Sequence, residues 1–389
     1  MRVLLAPDKF KGSLTAAEVA TAVGAGIRSV LPDVVLDVVP VADGGDGTVA
    51  SALAAGYDEV RLTAAGPTGQ PVSTSFARLG PRAVCELADV SGLVRLPGGR
   101  LAPMEASSRG TGEVIAAAVD AGCTEIVLGI GGSACTDGGA GLVRALGARV
   151  LDSSGREIGE GGGALADVAA VDLSGLHLAG FRLTVACDVD NPLTGPTGAA
   201  AVYGPQKGAT PDQVVELDAA LGRWAAVVAE ATGHDHRAAP GAGAAGGVGF
   251  AATAVLGAEL QPGIELLLEL TGFDDHLDGV DLVVTGEGAL DEQTLHGKAP
   301  AGVATAARAA GVPVVAVCGR NTLPPAVLRD AGVEAAYSLL EVEPDLGRCL
   351  SNGAALLERL GARIAAEHLL RRRGGAGASA AGAAGSAGR

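Results

Sequence analysis

The fold is decided by RVLLAPDKFKGSLTAAEVATAVGAGI, residues 2–27, which predicts a strand, a polar loop and a helix in that order. RVLLAP is a short apolar run, typical of a buried strand in a parallel sheet. Thr15 and Glu18 match a capping box and predict a helix through about Ile27. VLDVVPVAD then predicts a second strand. A strand, a helix and a strand in succession are typical of a parallel sheet covered by helices.

The same alternation recurs along the chain and predicts an α/β protein. A helix at 112–121 precedes the strand EIVLGIG, and DLVVTGEG is followed by a helix at about 299–310 and by the strands PVVAVCG and AAYSLL. VSTSFARLG and RAVCELADVSG are typical of an antiparallel hairpin. We therefore expect a doubly wound parallel-sheet domain with a second, mixed α/β domain inserted into it and a cleft between them. The expected boundaries are 1–62, 107–145 and 272–370 for the Rossmann-like domain, 63–106 and 146–271 for the inserted domain, and 371–389 for a low-complexity, disordered tail.

Composition and charge narrow the function classes. The 389 residues are 48% hydrophobic, and the net charge of −16 argues against nucleic-acid and membrane partners, since both require a basic surface. The six cysteines form no CxxC pair and have no histidine at zinc spacing, which indicates reduced core residues rather than a metal site. The sequence begins without a signal-peptide pattern, so we expect a cytoplasmic protein. We also expect a monomer or homodimer.

Lysine is rare, and its positions are informative. Of 28 Lys plus Arg residues only four are lysines, at positions 9, 11, 207 and 298, and three of the four adjoin a glycine. Lysine is a compact cation on a flexible stem, suited to binding a phosphate as a point charge. The alternative is that an arginine-rich composition left these lysines by chance.

Polar side chains also follow the predicted strands, where helix N-termini and ligands meet in α/β sheets. We expect four such loops at one sheet edge. They contribute Lys9, Lys11 and Ser13; Asp43, Asp46 and Thr48; Ser133, Thr136 and Asp137; and Glu287, Asp291, Thr294, His296 and Lys298.

Two further stretches leave alternatives open. Asp188 and Asp190, after a predicted strand, could hold magnesium through oxygen ligands or form an Asx turn before Pro192. GAGAAGGVG, residues 241–249, could bind phosphates through backbone N–H groups or allow close helix packing. It opens an uncharged segment, 241–258, which is too rich in glycine and alanine for a membrane span and predicts a glycine loop running into a buried helix.

Standard nucleotide motifs give a rival interpretation. No GxxxxGK[ST] sequence occurs, so this is not a P-loop protein. Gly129, Gly131 and Ala134 match GxGxxA, with Asp152 about 20 residues on, as in a dinucleotide-binding fingerprint. An NAD-dependent hydroxy-acid oxidoreductase is therefore one alternative. A non-catalytic protein that binds a small acid is another.

Taken together, the loops resemble the glycerate kinase family. The resemblance covers about residues 1–370 and is carried by APDKFKGSLTA, VADGGDGT, SRGTGE, GIGGSACTDGGAG, CDVDNPLTGPTGAAAVYGPQKGAT and TGEGALDEQTLHGK. It implies two α/β domains with the active site between them and ATP-dependent phosphorylation of D-glycerate in glycerate and glyoxylate metabolism. The resemblance favours 2-phosphoglycerate over 3-phosphoglycerate as the product.

With this resemblance, each loop residue receives an expected role. The expected nucleotide-binding residues are Gly131, Gly132, Ser133, Lys207, Glu287 and Lys298. The expected substrate-binding residues are Lys9, Ser13, Asp46 and Arg109. The expected catalytic residues are Lys11, Asp43, Asp190 and Asp291, of which Asp43 or Asp291 would orient or deprotonate the attacking hydroxyl. Asp188 and Asp190 would hold Mg²⁺.

Three positions depart from the family pattern. Arg109 stands where an aromatic residue is common, Cys135–Thr136 replaces a Thr-Asn pair, and Ala289 stands where the family often has arginine. If that arginine assists phosphoryl transfer, Arg109 or another cation must replace it in this chain.

Overall fold

The computed structural model describes residues 1–10, 12–41, 47–176, 180–295 and 297–370. Three predicted site residues, Lys11, Asp43 and Asp46, lie outside these ranges, as do His296 and the predicted tail at 371–389.

The chain alternates strands with helices, as the sequence predicts. The strands are β1 (Arg2–Pro7), β2 (Val35–Val38), β3 (Asp58–Ala65), β4 (Pro71–Leu79), β5 (Arg82–Glu86), β6 (Glu125–Gly129), β7 (Arg149–Leu151), β8 (Ala170–Asp172), β9 (Arg182–Ala186), β10 (Glu259–Gln261), β11 (Leu282–Leu290), β12 (Val314–Asn321) and β13 (Ala335–Ser338). The helices are α1 (Ala16–Val30), α2 (Thr48–Ala54), α3 (Ala88–Ser91), α4 (Arg109–Asp120), α5 (Ala140–Ala145), α6 (Ala199–Tyr203), α7 (Pro211–Thr232), α8 (Val248–Ala254), α9 (Gly263–Leu270), α10 (Ala299–Ala309), α11 (Pro325–Asp330), α12 (Leu339–Val342), α13 (Leu346–Ser351) and α14 (Gly353–Ile364).

Shorter helical turns connect these elements. The 3-10 turns are Leu93–Arg95, Pro97–Gly99, Gly162–Asp167, Pro205–Lys207, Ala244–Gly246, Phe273–Leu277 and Glu292–Leu295, and a π-helical turn, Ala365–Leu369, continues α14.

The chain divides into two compact units. The first unit combines residues 1–42 with residues from 268 onward, and the second is the continuous segment 43–267. The sequence-based expectation that 63–106 and 146–271 form the inserted domain differs from this division, because residues 43–62 and 107–145 fall in the second unit as well and residues 268–271 fall in the first. No helix in the described part of the chain combines the length and apolar character that crossing a bilayer requires.

The sheet of the first unit is parallel, in the order β13-β12-β11-β1-β2. Val3 and Leu5 on β1 point to one face, where they share an apolar core with α1 and α14. On α1, the Thr15 side chain accepts the Glu18 N–H and the Glu18 side chain accepts the Thr15 N–H, so the predicted capping box is confirmed.

Glycines allow α1 and α14 to cross closely. A Cβ on Gly26 of α1 would lie 1.9 Å from the Glu358 backbone oxygen, and a Cβ on Gly361 of α14 would lie 2.2 Å from the Val23 oxygen. Neither contact is possible for a larger residue, because real side chains do not approach backbone oxygens this closely. The pair therefore sets the distance between the two helices.

The main sheet of the second unit is mixed, in the order β10-β9-β6-β5-β4-β3. β3, β4 and β5 pair antiparallel, which confirms the predicted hairpin, and the remaining pairs are parallel. Strand β6 lies between β5 and β9, so the glycine loop that follows it is not at the sheet edge shared by the loops after β1 and β11. The expectation of four loops at one edge is wrong on this point, because the apolar run of β6 suits the interior of either sheet.

The core of the second unit surrounds Trp224 on α7. Its side chain is fully buried, and its Nε1–H donates to the Gly138 oxygen at 3.0 Å. The 241–249 segment packs here: a Cβ on Gly246 would lie 2.1 Å from the Cys135 oxygen, and the Gly138 N–H donates to the Gly246 oxygen. These contacts favour close packing as the role of these glycines, and the predicted buried helix follows as α8.

Candidate functional site

In the first unit, a polar cluster forms at the carboxyl end of β11. Glu287 is 8% exposed, and Thr294 Oγ1 donates to its Oε1 at 2.5 Å. Lys298 Nζ lies 3.8 Å from the other carboxylate oxygen, Oε2. Asp291 Oδ1 accepts the Gln293 N–H and so orders the turn between them. The structure therefore brings together Glu287 and Lys298, which the sequence predicted as nucleotide ligands, with Asp291 in the same loop.

The loop after β1 lies beside this cluster. The Asp8 N–H donates to the Gly286 oxygen at 2.8 Å, since β1 and β11 are adjacent parallel strands. Asp8 Oδ1 accepts the Lys9 N–H, and Ser13 Oγ donates to the Phe10 oxygen at 3.1 Å. Lys9 and Ser13 thus lie in a loop that is ordered by its own hydrogen bonds on either side of Lys11.

An arginine lies next to Ala289, the position at which the family often has arginine. Ala289 on β11 is the register partner of Arg320 on β12, and Arg320 is exposed. The sequence alone did not single out Arg320, because the pairing of β11 with β12 is needed to place the two residues side by side.

In the second unit, the glycine loop after β6 is held by a buried lysine. Lys207 is 1% exposed, and its Nζ donates to Ser133 Oγ at 2.9 Å and to the Cys135 oxygen at 2.5 Å. Burial lowers the pKa of the Lys207 ammonium, and nearby Cys135 and Asp137 partly oppose that change. The predicted ligands Gly131, Gly132 and Ser133 are in this loop, but the Lys207 ammonium contacts the loop itself.

Asp137, which the sequence placed in this loop without a role, joins two helix N-termini. Its carboxylate accepts five hydrogen bonds: from the N–H groups of Ser108, Gly139 and Gly141 and from the hydroxyls of Ser107 and Ser108. Burial raises the pKa of the Asp137 carboxyl, and these donors oppose the rise. Asp137 thereby fixes the start of α4, where the predicted ligand Arg109 lies, relative to α5.

Arg109 is paired with acidic side chains. Its Nε lies 2.9 Å from Glu113 Oε1, and its Nη1 lies 3.3 Å from Glu160 Oε1. These hydrogen bonds, led by the one to Glu113, raise the pKa of Arg109. With about half of its side chain exposed, Arg109 could exchange one of these partners for an anionic ligand.

The loop after β9 carries the two predicted magnesium ligands. Asp188 and Asp190 are both exposed, and Asp188 Oδ1 accepts the Gly263 N–H at 2.8 Å. In the described part of the chain, histidine, cysteine and acidic side chains form no group of three that could hold a metal ion. The two carboxylates could supply at most part of a coordination shell, with water or ligand oxygens completing it.

Glu86 is a polar residue that the sequence reasoning missed. It lies at the end of β5, is 6% exposed, and its two oxygens accept the N–H groups of Gly47 at 2.9 Å and Val49 at 3.2 Å. It therefore fixes the start of α2, which comes directly after Asp43 and Asp46 in the sequence. Its position at the end of the apolar strand RAVCE is the sequence feature that could have singled it out.

The dinucleotide fingerprint is not supported by the local structure. After β6 ends at Gly129, the chain forms turns as far as Gly139, and a helix begins only at Ala140. A dinucleotide-binding GxGxxA instead opens its helix within the motif, so that the helix N-terminus faces the pyrophosphate.

Comparison with known proteins identifies the family. The model of the glycerate kinase family matches residues 3–369. The chain belongs to the glycerate kinase family. A glycerate kinase of Bacillus subtilis (strain 168) is 45% identical over 371 residues, which cover 94% of this chain and 97% of that protein. The glycerate 2-kinase of Escherichia coli (strain K12) is 45% identical over 345 residues, 87% of this chain and 91% of that protein.

A solved structure agrees with this assignment. The crystal structure of a candidate glycerate kinase 2 from Salmonella typhimurium LT2 superposes with a TM-score of 0.83 at 40% identity, covering 96% of this chain and 99% of that one. The predicted family, the α/β fold class and the enzyme class, a kinase, are thereby confirmed. Membership of the glycerate kinase family implies a phosphoryl donor and a small-molecule acceptor, so neither the oxidoreductase nor the non-catalytic alternative is retained.

Proposed function

We propose that this enzyme transfers the terminal phosphoryl group of ATP to D-glycerate and releases 2-phosphoglycerate. The observation that carries the proposal is the family match over residues 3–369, which spans every loop assigned to the reaction. The 2-phosphate is favoured because the Escherichia coli relative, at 45% identity, is named for that position. Phosphoryl transfer depends on alignment and charge neutralisation more than on covalent chemistry by the protein.

Lys298 is assigned to the nucleotide phosphates. Its ammonium lies 3.8 Å from Glu287, and its side chain is 28% exposed, so it is ordered yet accessible to a ligand. Lys11 receives the same role from the sequence, and Lys9 and Ser13 are assigned to the glycerate carboxylate. Lys207 is assigned an indirect role: it holds the Gly131–Ser133 loop, whose backbone is the proposed nucleotide contact.

The acidic residues are assigned to the acceptor and the metal. Asp43 or Asp291 would orient or deprotonate the attacking hydroxyl, and Asp46 would contact glycerate. Asp188 and Asp190 fit Mg²⁺, because this ion commonly takes one or two carboxylates and completes its shell with water and phosphate oxygens. When bound, the ion neutralises negative charge on the phosphates.

Arg320 is assigned to supply the positive charge that an arginine at position 289 would provide. It is exposed on the strand next to Ala289, at the same level of the sheet. A guanidinium there could interact with phosphate oxygens near Lys298, whose loop also follows β11.

Two substitutions test these assignments. Lys298→Met and Arg320→Ala should each lower turnover by about a hundredfold or more, because each removes a cation that stabilises the negative charge of the transition state. Release of ADP in the presence of D-glycerate and magnesium measures turnover, and circular dichroism verifies the fold. Arg329→Ala, an exposed change on α11, is the matched control and should keep wild-type turnover. Near wild-type activity of Lys298→Met would remove Lys298 from the reaction.

A further inference from the structure

The mixed sheet of the second unit has a long strand at one edge. β3 ends the order β10-β9-β6-β5-β4-β3, and in the part of the chain that the structure describes no strand pairs with its outer side. The other terminal strands of the two large sheets, β2, β10 and β13, have three or four residues, whereas β3 has eight. Natural sheets usually shorten, cover or charge their edges, because a free edge offers hydrogen bonds to another strand. The length of β3 is therefore unusual for this fold.

The pairing of β3 with β4 shows which backbone groups point outward. In the hairpin between these strands, the Gly66 N–H donates to the Gln70 oxygen. Because hydrogen-bonded pairs alternate along antiparallel strands, the even-numbered residues of β3 direct their N–H and C=O groups towards β4. The odd-numbered residues direct theirs towards the free edge. Ala65 agrees with this alternation, because its N–H donates to Glu113 Oε2 of α4 at 2.7 Å rather than to β4.

Three residues of β3 present outward backbone groups along the rest of this edge: Glu59, Arg61 and Thr63. Their side chains are exposed, and the strand contains neither a proline nor a β-bulge that would block pairing. Among the described residues, no hydrogen bond outside the strand ladder reaches the backbone groups of these three. Such groups require water or another strand as their partner.

Charge complementarity identifies that strand as a second copy of β3. Glu59 and Arg61 lie two residues apart on the same face of the strand, and their side chains form an ion pair at 2.7 Å. Two antiparallel copies of β3, with Val60 opposite Val60 of the partner subunit, place each Glu59 opposite Arg61 of the partner subunit. Opposite charges at directly opposed positions stabilise a strand pair, whereas charges of one sign would repel the second copy.

The same charges disfavour the neighbouring registers. A pair centred on Glu59 or on Arg61 would place two like charges directly opposite each other, which is destabilising. A pair centred on Leu62 would set Glu59 against Ala65 of the partner subunit, and the Ala65 N–H is already bound by α4. Among these registers, the one centred on Val60 pairs every outward charge with its opposite.

We propose that two copies of this chain associate through β3, as antiparallel edge strands related by a twofold axis at Val60. The two six-stranded sheets then form one continuous sheet. Such an interface is isologous, because the same residues contribute from both subunits. One strand pair buries little surface, so we expect a reversible dimer with a Kd of about 1–100 μM.

Sedimentation velocity of the full-length enzyme, at about 1–200 μM, tests the proposal. Arg61→Glu should raise the dimer Kd at least about tenfold, because both reciprocal charge pairs become pairs of like charge. Combining it with Glu59→Arg restores opposite charges and should return the Kd to within about threefold of the wild type. Arg223→Glu makes the same charge change on the exposed side of α7 and should keep the wild-type Kd.

Hydrogen exchange supplies a second measurement on the unmodified chain. The N–H groups of Glu59, Arg61 and Thr63 should exchange at least about fivefold more slowly in concentrated than in dilute protein. A wild-type monomer at about 200 μM, a dimer unaffected by Arg61→Glu, a charge swap that does not restore the dimer, or equal exchange at both concentrations would overturn the proposal. No substrate is present in these measurements, so their outcome is independent of the proposed function.

Discussion

At the scale of single residues, the buried ammonium of Lys207 shows how position in a sequence differs from role in a structure. A lysine before Gly208 in a predicted loop suggested a phosphate ligand. The fold instead places its Nζ against Ser133 and Cys135, where it replaces water as the donor to the glycine loop. That role depends on segments more than 70 residues apart in the chain.

Lys207→Met tests this role. Methionine keeps the apolar stem but leaves the Cys135 oxygen without the ammonium donor, so the free energy of unfolding should fall by about 1–3 kcal/mol. Urea unfolding measures the change. Arg223→Met, an exposed change on α7, is the control and should have little effect. Unchanged stability of Lys207→Met would show that the ammonium does not hold the loop.

The same pair of proteins should differ in pH dependence. Burial lowers the pKa of Lys207 in the folded state below its ordinary value of 10.5, so the unfolded chain binds this proton more tightly. The wild type should therefore gain stability relative to Lys207→Met as pH rises from the lowered folded-state pKa to 10.5. The measurement is urea unfolding of both proteins across this pH range. A falling difference would contradict the assignment.

At the scale of elements, replacing a helical glycine by alanine has two opposing effects: a steric clash with a neighbouring helix and a gain in helix propensity. Gly26→Ala places a methyl group 1.9 Å from the Glu358 oxygen of α14, so α1 must move, and we expect a loss of about 2 kcal/mol or more. Gly222→Ala, inside α7, meets only a Thr194 methyl at 4.0 Å and should gain about 0.5–1 kcal/mol from helix propensity. Thermal or urea unfolding of the two variants should give opposite signs, and equal signs would contradict the packing.

Local signals predicted elements better than they predicted sheet membership. The predicted capping box at Thr15 and Glu18 depends on residues three positions apart, and it forms. The prediction put strand β6 in the wrong sheet, because its buried apolar residues do not specify which strands pair with it. Glu125 does pair with Arg82 and Arg182 on the flanking strands, but those pairs are evident only when the order of strands is known.

The candidate site was predicted in the same uneven way. Glu287 lies near the end of β11 and Lys298 lies just before α10, the next long helix, so the sequence could place them together, and their side chains do meet. Arg320 and Asp137 gain their positions from strand order and from the meeting of two helices. Such contacts between distant segments leave no local pattern in a single sequence.

At the scale of the whole molecule, burial should protect the thiols. Cys85, Cys123, Cys135, Cys318 and Cys349 are buried, and Cys187 is partly exposed. Burial raises the pKa of each thiol, that of Cys318 to about 12, so fewer thiolates form near neutral pH than in the unfolded chain. At about pH 8, a disulfide reagent such as DTNB should react quickly with at most one thiol of the native enzyme.

The unfolded chain is the reference for this titration. In guanidinium all six thiols of the sequence should react. Rapid labelling of several thiols in the native enzyme would contradict the packing of both cores.

The most direct test of the account follows the phosphoryl group itself. Purified enzyme is mixed with ATP, magnesium and D-glycerate, and phosphorus NMR records the products as they form. The account predicts ADP together with a phosphomonoester signal coupled to a single carbon-bound proton, as in 2-phosphoglycerate. A signal coupled to two protons on the same carbon would identify 3-phosphoglycerate and contradict the proposed position of the phosphate. If ATP remained unchanged in the presence of glycerate, the proposed reaction would be contradicted.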